Sequence, residues 1–575
     1  MPPTNIDIAN IFEETADLLE IDGANTFRIR AYRQAAENID DLGRSLSDMV
    51  VADEDLTKIP GIGKDLAGAI RELVQTGEYS ELMSIRRRIN PSLRELLRIP
   101  GIGPKKIKRL HDELGIANLD DLQRAVETHQ LATLSGFGAK TEEKIARELE
   151  TGRTKKARRR WADVEKVALE FEAMLRALPE VQAADVAGSF RRKRDTVGDL
   201  DVLASSTEPK PVIEAFVNFE RVAQIAGQGD TRAAVVLRDG LAVDLRVVPP
   251  ESYGAALHYF TGSKDHNLFL RYRAIERGWK VNEYGVYKED GAQIAGKTEP
   301  EMYETFGYTY IEPELRETRG EYEASAKGTL PKLITVEDIR GDIHAHSTWS
   351  DGKSTIEEMA QAAIEHGYDY MAITDHSPRL AMTNGLDPAE LRRQAEEIRE
   401  VQSRFPDITI LHGNEVDILK DGSLDQPDDI LAELDIVIAS VHSYFDLSRD
   451  EQTERLLKVI KNPYVRIIGH PHGRLLTQRE GIEFDQEKVF TAAREAGVAM
   501  EINADPHRLD LDDRSAFFAR ELGLKFVINT DAHRTTGYDL MRYGINQARR
   551  AWLEPKDVLN TLPLKKFLAA LRPKL

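Results

Sequence analysis

The sequence predicts a multidomain chain: a helical N-terminal region, an α+β middle and a C-terminal distorted β/α barrel. Three observations carry that expectation. A Gly-x-Gly hairpin recurs three times between helix-like stretches before residue 150. Asp199-Leu200-Asp201-Val202-Leu203 and Ala242-Val243-Asp244-Leu245-Arg246 set carboxylates into otherwise apolar strand patterns. From residue 336 onward, short apolar strands alternate with amphipathic helices, the rhythm of a parallel barrel. At 575 residues a single core would be overgrown, so several domains are expected.

Composition narrows the chemistry. There is no cysteine, which excludes disulfides, zinc fingers and thiol catalysis; any metal must be held by His, Asp or Glu. No apolar run approaches the ~20 residues that span a bilayer. Met1-Pro2-Pro3-Thr4-Asn5 does not open a secretory signal, so a cytoplasmic location and no membrane partner are expected. The net charge of -20 argues against nucleic acid, yet DNA meets local patches rather than averages. Basic clusters occur at Arg86-Arg87-Arg88, at Lys105-Lys106 with Lys108-Arg109, and at Lys155-Lys156 with Arg158-Arg159-Arg160. Alone, each reads as a solvated helix face.

The hairpins change that weighting. They are Ile59-Pro60-Gly61-Ile62-Gly63-Lys64, Ile99-Pro100-Gly101-Ile102-Gly103-Pro104-Lys105 and Leu134-Ser135-Gly136-Phe137-Gly138-Ala139. This is the helix-hairpin-helix pattern. Paired glycines permit a tight turn, and the next helix's N-terminus grips a backbone phosphate without reading sequence. Gly61, Gly63, Lys64, Gly101, Gly103, Lys105, Gly136 and Gly138 are the expected DNA contacts.

In the middle region, strands are expected at 181–187, 200–204, 233–237 and 241–248. Asp199 and Asp201, two residues apart on a strand, project to one face and can bridge a pair of Mg²⁺ (or Mn²⁺) ions for nucleotidyl transfer. Gly188, Ser189 and Arg192 offer N–H, hydroxyl and guanidinium groups to a triphosphate. An adjacent antiparallel strand would bring Asp244 beside the pair, where it would hold metal and help a primer hydroxyl lose its proton. The charged, small-residue stretch 316–335 reads as a linker.

In the last region, strands are expected at 370–374, 408–411, 436–440, 466–469, 499–502 and 525–529. Ligand-type residues fall at their C-terminal ends, where such barrels bind. His344-Ala345-His346 places two imidazoles on one strand face, followed by Asp351, His376, Glu415, His442, His470, Asp531 and His533. Together they suggest a multinuclear Zn²⁺, Mn²⁺ or Fe site for phosphoester hydrolysis.

On these motifs, residues 1–315 resemble a family X DNA polymerase of the DNA polymerase beta group. They share the Gly-Ser and Asp-x-Asp elements, Asp244, Tyr259-Phe260-Thr261-Gly262-Ser263 and the hairpin repeats. Residues 336–575 resemble a polymerase and histidinol phosphatase (PHP) domain. The combination resembles the bacterial and archaeal family X polymerases. The resemblance implies an 8-kDa-like DNA-binding domain at 1–90, a fingers-like helical domain at 91–150, a nucleotidyltransferase palm at 151–250 and a nucleotide-selecting thumb at 251–315, then the linker and the PHP barrel. It implies that Asp199, Asp201 and Asp244 hold two Mg²⁺ ions and that Ser189, Arg192 and Gly198 contact the triphosphate. Tyr259 and Phe260 would lie along the sugar and disfavour a ribonucleotide, Gly262 would be among the nucleotide-binding residues, Asn267 would meet the incoming base and Arg271 the templating side. It implies up to three Zn²⁺ or Mn²⁺ ions in the barrel: one on His344, His346, Glu415 and Asp531, one on Glu415, His442 and His470, one on Asp351, His376 and His533. The activity implied is template-directed gap filling in base-excision-type repair, on gapped or primer-template DNA with dNTPs, coupled to a 3′→5′ exonuclease; some members also cleave abasic sites. A monomer associated with the nucleoid is the default.

Two departures from the family pattern stand out. The position of the Schiff-base lysine of the beta-type lyase falls on Ala69, so no lyase activity is expected by that route. Lys264 follows Thr-Gly-Ser where an acidic residue is usual; its ammonium could hold dNTP before template arrives. Two other readings stay open: a template-independent nucleotidyltransferase, and a barrel that acts only as a scaffold. Whether His472 replaces or assists His470 is also open.

Overall fold

The computed structural model describes residues 3, 5–40, 42, 46–59, 61–99, 102–131, 134, 137–138, 141–142, 145–146, 158–379 and 383–571. The chain forms two compact units. One comprises residues 1–158, 168–187 and 198–307; the other comprises 159–167, 188–197 and 308–575. No described helix is long and apolar enough to cross a membrane.

In the first unit, the helical region packs Phe12, Tyr32 and Tyr79 as a buried aromatic trio, with Phe12 5.4 Å from Tyr32 and 6.1 Å from Tyr79. The three hairpins close alike. Ile62 N donates to Ile59 O at 3.1 Å, Ile102 N to Ile99 O at 3.0 Å, and Phe137 N to Leu134 O at 3.0 Å. Ile62, Ile102 and Phe137 thereby plug each turn into one shared core. Gly63 and Gly103 then cap helices Lys64–Thr76 and Pro104–Leu114. Gly61 has φ +79°, and a Cβ there would stand 2.5 Å from Asn38 Nδ2, so the turn requires glycine.

The palm sheet orders its strands Ala183–Val186, Leu200–Ser205, Ala242–Val248, Arg232–Leu237, Val222–Gln228. The Ala242–Val248 strand runs parallel to Leu200–Ser205, with Asp201 opposite Asp244, which corrects the antiparallel expectation. The cause is the unpredicted strand Val222–Gln228. It pairs antiparallel with Arg232–Leu237, which pairs antiparallel with Ala242–Val248, so the added strand reverses the sense of the last one. This edge strand is almost wholly exposed and lacks alternation, so it left no periodic signal. The thumb follows with helices Tyr253–Thr261 and Lys264–Ile275 and a three-stranded antiparallel sheet.

In the second unit, 316–335 is not a loose linker. It contains helix Glu321–Lys327, and Arg316 is fully buried, its guanidinium donating to Ile311 O at 3.0 and 2.8 Å. The barrel has seven parallel strands in sequence order: Gly341–Asp342, Tyr370–Ile373, Thr409–Asp417, Ile436–Ser440, Ile467–Gly469, Ala499–Asn503 and Phe526–Asn529. A bridge between Ala345 and Ala532 joins the chain after the last strand to the chain after the first. Inside, Ile343, Tyr370, Ala372, Leu411, Ile436, Ile438, Ile467, Ala499 and Val527 form an apolar plug. Phe567 of helix Leu564–Ala570 joins it, stacked on Tyr370 at 5.1 Å.

Candidate active sites

The palm carboxylates border a cavity of about 600 Å³ whose lining includes Asp201, Asp244, Arg232, Arg246 and Phe260. Asp199 stands one residue before the strand and is exposed. Asp244 is exposed toward the cleft. Even so, loss of solvation among the surrounding groups, and then the Asp199 charge, hold its carboxyl above the usual carboxylate range. Like charges gathered in one cleft raise one another's affinity for a cation or a proton. The donor set therefore fits divalent ions that prefer oxygen.

Gly188 opens a short helical turn, Gly188–Arg191, with φ +61°, which favours glycine. Arg192 is placed differently from the expectation. Its Nε donates to Glu317 at 3.0 Å, and its side chain is 15% exposed, so this guanidinium is engaged within the protein. Tyr259 and Phe260 end the first thumb helix, half-buried, and Gly262 terminates it. Asn267 Nδ2 donates to Tyr259 O at 2.7 Å, while its Oδ1 is buried without a partner. Lys264 is exposed at the start of the next helix, and Arg271 lies 3.9 Å from Asp7.

Among the hairpin residues, Gly61, Gly63, Lys64, Gly103 and Lys105 are exposed. Gly101, Gly136, Lys155 and Lys156 lie outside the described residues. Arg86, Arg88 and Arg109 pair with Glu14, Asp22 and Glu113, as solvated faces do. Ala69 is buried, with no amine at that position.

The barrel centre grows out of strand periodicity. Two-residue steps lead from lumen residues to candidate ligands: Ile436, Ile438 and Ser440 on one strand with His442 just past its end, and Leu411, Gly413 and Glu415 on another. His344 and His346 lie beyond the two-residue first strand rather than on it, held by the Ala345 bridge to Ala532. Glu415 sits at the hub. Its Oε1 is 2.8 Å from His470 Nε2 and 3.3 Å from His442 Nε2. Its Oε2 is 2.9 Å from His376 Nδ1, 3.5 Å from His344 Nε2 and 3.6 Å from His346 Nε2. Asp531 Oδ1 lies 3.0 Å from His346 Nε2, and Asp351 Oδ1 lies 3.4 Å from His533 Nε2.

Among the described residues, three groups converge closely enough to share an ion: His344, His346 and Asp531; His376, Glu415 and His442; and His346, Asp351, His376 and His533. His472 is turned to Asp510 instead, Nδ1 to Oδ1 at 3.0 Å. Ligands about 2.0–2.2 Å from one ion stand roughly 3 Å apart. The distances match that spacing, yet His344 Nε2, His346 Nε2, His376 Nδ1, Glu415 Oε2 and Asp531 Oδ1 are buried with no hydrogen-bond partner. Orphaned, convergent N and O donors are what metal ligands look like, so the residues fit a multinuclear cation site.

Electrostatics divide the imidazoles. Burial, then the His533 and His376 rings, push His346 down to about 3, the neutral form a metal requires. His442 is pushed up to about 9: burial pulls down, and Glu415 and Asp417 overcome it. His533 also rises to about 9, Asp351 and Asp531 outweighing burial. Glu415 is held well below the carboxylate range despite burial, by His442, His376 and His344.

Sequence reasoning missed the supporting carboxylates. Glu501 takes His344 Nδ1 at 2.7 Å and the His470 backbone N–H at 2.8 Å, and Asp417 takes His442 Nδ1 at 3.2 Å, so the His344 and His442 rings turn their other nitrogen inward. The signal existed: Ala499-Met500-Glu501-Ile502 is a lone acid in an apolar strand, like Asp244. Arg508 was missed too; its Nε lies 3.8 Å from Asp531, a cation at the edge of the centre.

These features define a nucleotidyltransferase joined to a metal-binding PHP-type barrel. Comparison with known proteins narrows the class. Family models match for a helix-hairpin-helix domain (residues 3–79), a SAM-like helix-hairpin-helix tandem (93–151), the DNA polymerase beta thumb (256–317) and the PHP domain (342–505). A Bacillus subtilis protein named DNA polymerase/3′-5′ exonuclease PolX is 40% identical over 569 residues, 98% of this chain and 99% of that protein. A probable phosphatase of Thermoanaerobacter sp. strain X514 is 38% identical over 168 residues, 28% of this chain and 63% of that protein. One of Acetivibrio thermocellus is 34% identical over 166 residues, 28% of this chain and 64% of that protein. The chain belongs to the family X DNA polymerases that carry a C-terminal PHP domain.

Proposed function

We propose that the chain fills short gaps in damaged DNA by template-directed synthesis, in repair of the base-excision type, and trims 3′ ends with its barrel. The observation that carries the synthetic half is the register of Asp201 against Asp244, with Asp199 beside them. The Bacillus subtilis relative, named for both activities and aligned over nearly the whole chain, supports the pairing.

In this reading Asp199, Asp201 and Asp244 hold Mg²⁺ or Mn²⁺. The bound ions supply charge neutralisation at the attacking and leaving oxygens of an in-line displacement. Asp244, whose carboxyl is held above the usual carboxylate range by desolvation and by Asp199, accepts the proton that the primer hydroxyl gives up. Gly188, Ser189 and Gly198 receive the triphosphate. Tyr259 and Phe260 line the sugar against ribonucleotides, with Asn267 holding the Tyr259 backbone and meeting the base. Arg271 addresses the template. Lys264, exposed at a helix start, draws dNTP before template binds. The hairpin amides and Lys64 and Lys105 hold the DNA backbone.

In the barrel, His344, His346, Asp351, His376, Glu415, His442, His470, Asp531 and His533 hold up to three Zn²⁺ or Mn²⁺ ions. Those ions supply an activated water and stabilise charge on the phosphoryl oxygens. Glu501 and Asp417 orient the imidazoles. The protein would act as a monomer at the nucleoid in the cytoplasm. The decisive experiment assays primer extension and primer degradation on gapped DNA. Asp199→Ala/Asp201→Ala should abolish extension alone, and His344→Ala/His346→Ala degradation alone. Joint loss in either pair would refute the division of labour.

A further inference from the structure

The turn that carries the Gly-Ser element lies in the same compact unit as the barrel. It closes on itself: Arg192 N donates to Gly188 O at 3.3 Å and Arg194 N to Ser189 O at 3.1 Å. One side is clamped by Trp161, whose Nε1 donates to Phe190 O at 2.8 Å. The Trp161 ring stacks on Phe190 at 4.7 Å, with the Lys193 ammonium 4.3 Å from it.

The other side is held by the barrel. Arg550, the last residue of helix Met541–Arg550, has a side chain that is 1% exposed. Its Nη1 donates to Arg192 O at 2.7 Å and to Glu317 at 3.1 Å, and its Nη2 donates to Asp513 at 2.8 Å. Glu317 also accepts from Arg192 Nε at 3.0 Å and Arg194 Nη1 at 3.4 Å. Arg319 closes the lattice on Asp513 at 2.5 Å and on Arg550 O at 3.1 Å. Arg474 reaches Asp195 at 3.3 Å, and its Nε donates to Arg508 O at 2.9 Å. Arginine forks in a dry setting fix geometry, because removing one partner leaves the others uncompensated.

We propose that Arg550 and Glu317 are positioning residues for nucleotide binding. They hold the Gly188–Arg194 backbone in the shape that presents Gly188 and Ser189 to a triphosphate. The inference rests on reading those two residues as the triphosphate subsite. It makes the barrel part of the polymerase's nucleotide affinity even when its own metals are stripped.

The test uses the full chain with Glu317→Gln, which keeps shape, and Arg550→Met, which keeps much of the volume. Steady-state extension should show KM for dNTP raised about 10-fold, as expected for a displaced binding loop. kcat and the barrel's nuclease rate should stay within about twofold. Amide exchange should quicken at Phe190–Arg194. A purely structural role would lower both activities in step, and that result overturns the proposal. It is also overturned if KM stays put in Glu317→Gln while Ser189→Ala raises it; should Arg550→Met not fold, Glu317→Gln decides. An unmoved KM in all three variants sinks the triphosphate reading itself.

Discussion

In the palm cleft Asp199 and Asp244 are exposed, whereas in the barrel mouth His344, His346 and His470 have 0% exposure. Two of the barrel imidazoles, those of His344 and His442, are also braced from behind, by Glu501 and Asp417. Asp201 and Asp244 border a cavity of about 600 Å³, wide enough for a large guest. The difference teaches two ways of holding cations. A buried, braced set would keep ions as part of the fold. An open pair of strands gathers ions when substrate brings further oxygens to the cleft, as Mg²⁺ with its retained waters prefers.

The strongest way to break this comparison is Glu415→Gln. Because Glu415 touches five imidazoles, nuclease activity should fall by about 10³-fold or more while primer extension persists. Equal losses in a gel assay would show that the sites are not separate. Next, chelation followed by calorimetry should lower the melting temperature of the barrel, and Zn²⁺ or Mn²⁺ should restore it. Withholding Mg²⁺ should leave melting unchanged while extension stops. If the barrel melts alike with and without ions, they are not resident.

Glu501→Gln sharpens the contrast: metal affinity, read by competition with a chromogenic chelator, should weaken about 10–100-fold. Acidity gives a subtler handle. With His442 and His533 raised to about 9, and His344 raised well above 6.5 by Glu501, Asp531 and Glu415 against its burial, the metal-free barrel holds protons that an ion must displace. Affinity should therefore climb from pH 6.5 toward 9 and then flatten. The stability that His442 and His533 lend the metal-free fold is complete below their unfolded value near 6.5 and disappears as pH rises through about 9. Melting scans of stripped protein that show no decline across that window would contradict the assignment. The smallest effect is expected from Lys264→Ala, a few-fold loss of binary dNTP affinity in fluorescence titration; no change would end that idea.

Much of this was legible before any coordinates. Barrel strands, and the convergence of His and acidic side chains at their ends, declared themselves because a period of two carries apolar lumen residues toward His442 and Glu415. The hairpins did so because three copies share one turn. Strand sense was not legible, since the edge strand Val222–Gln228 has no buried face to pattern. Arg192 could not be placed either. Its partner Glu317 lies 125 residues away in a stretch read as tether, and composition says nothing about contacts at that range. Glu501 was readable and overlooked: an acid inside an apolar strand asks for a partner.

Phe567 stoppers the end of the barrel that lies away from the histidines. The vessel is therefore a cup and not a pipe. A nucleotide released at its brim would have one exit, the way it came in.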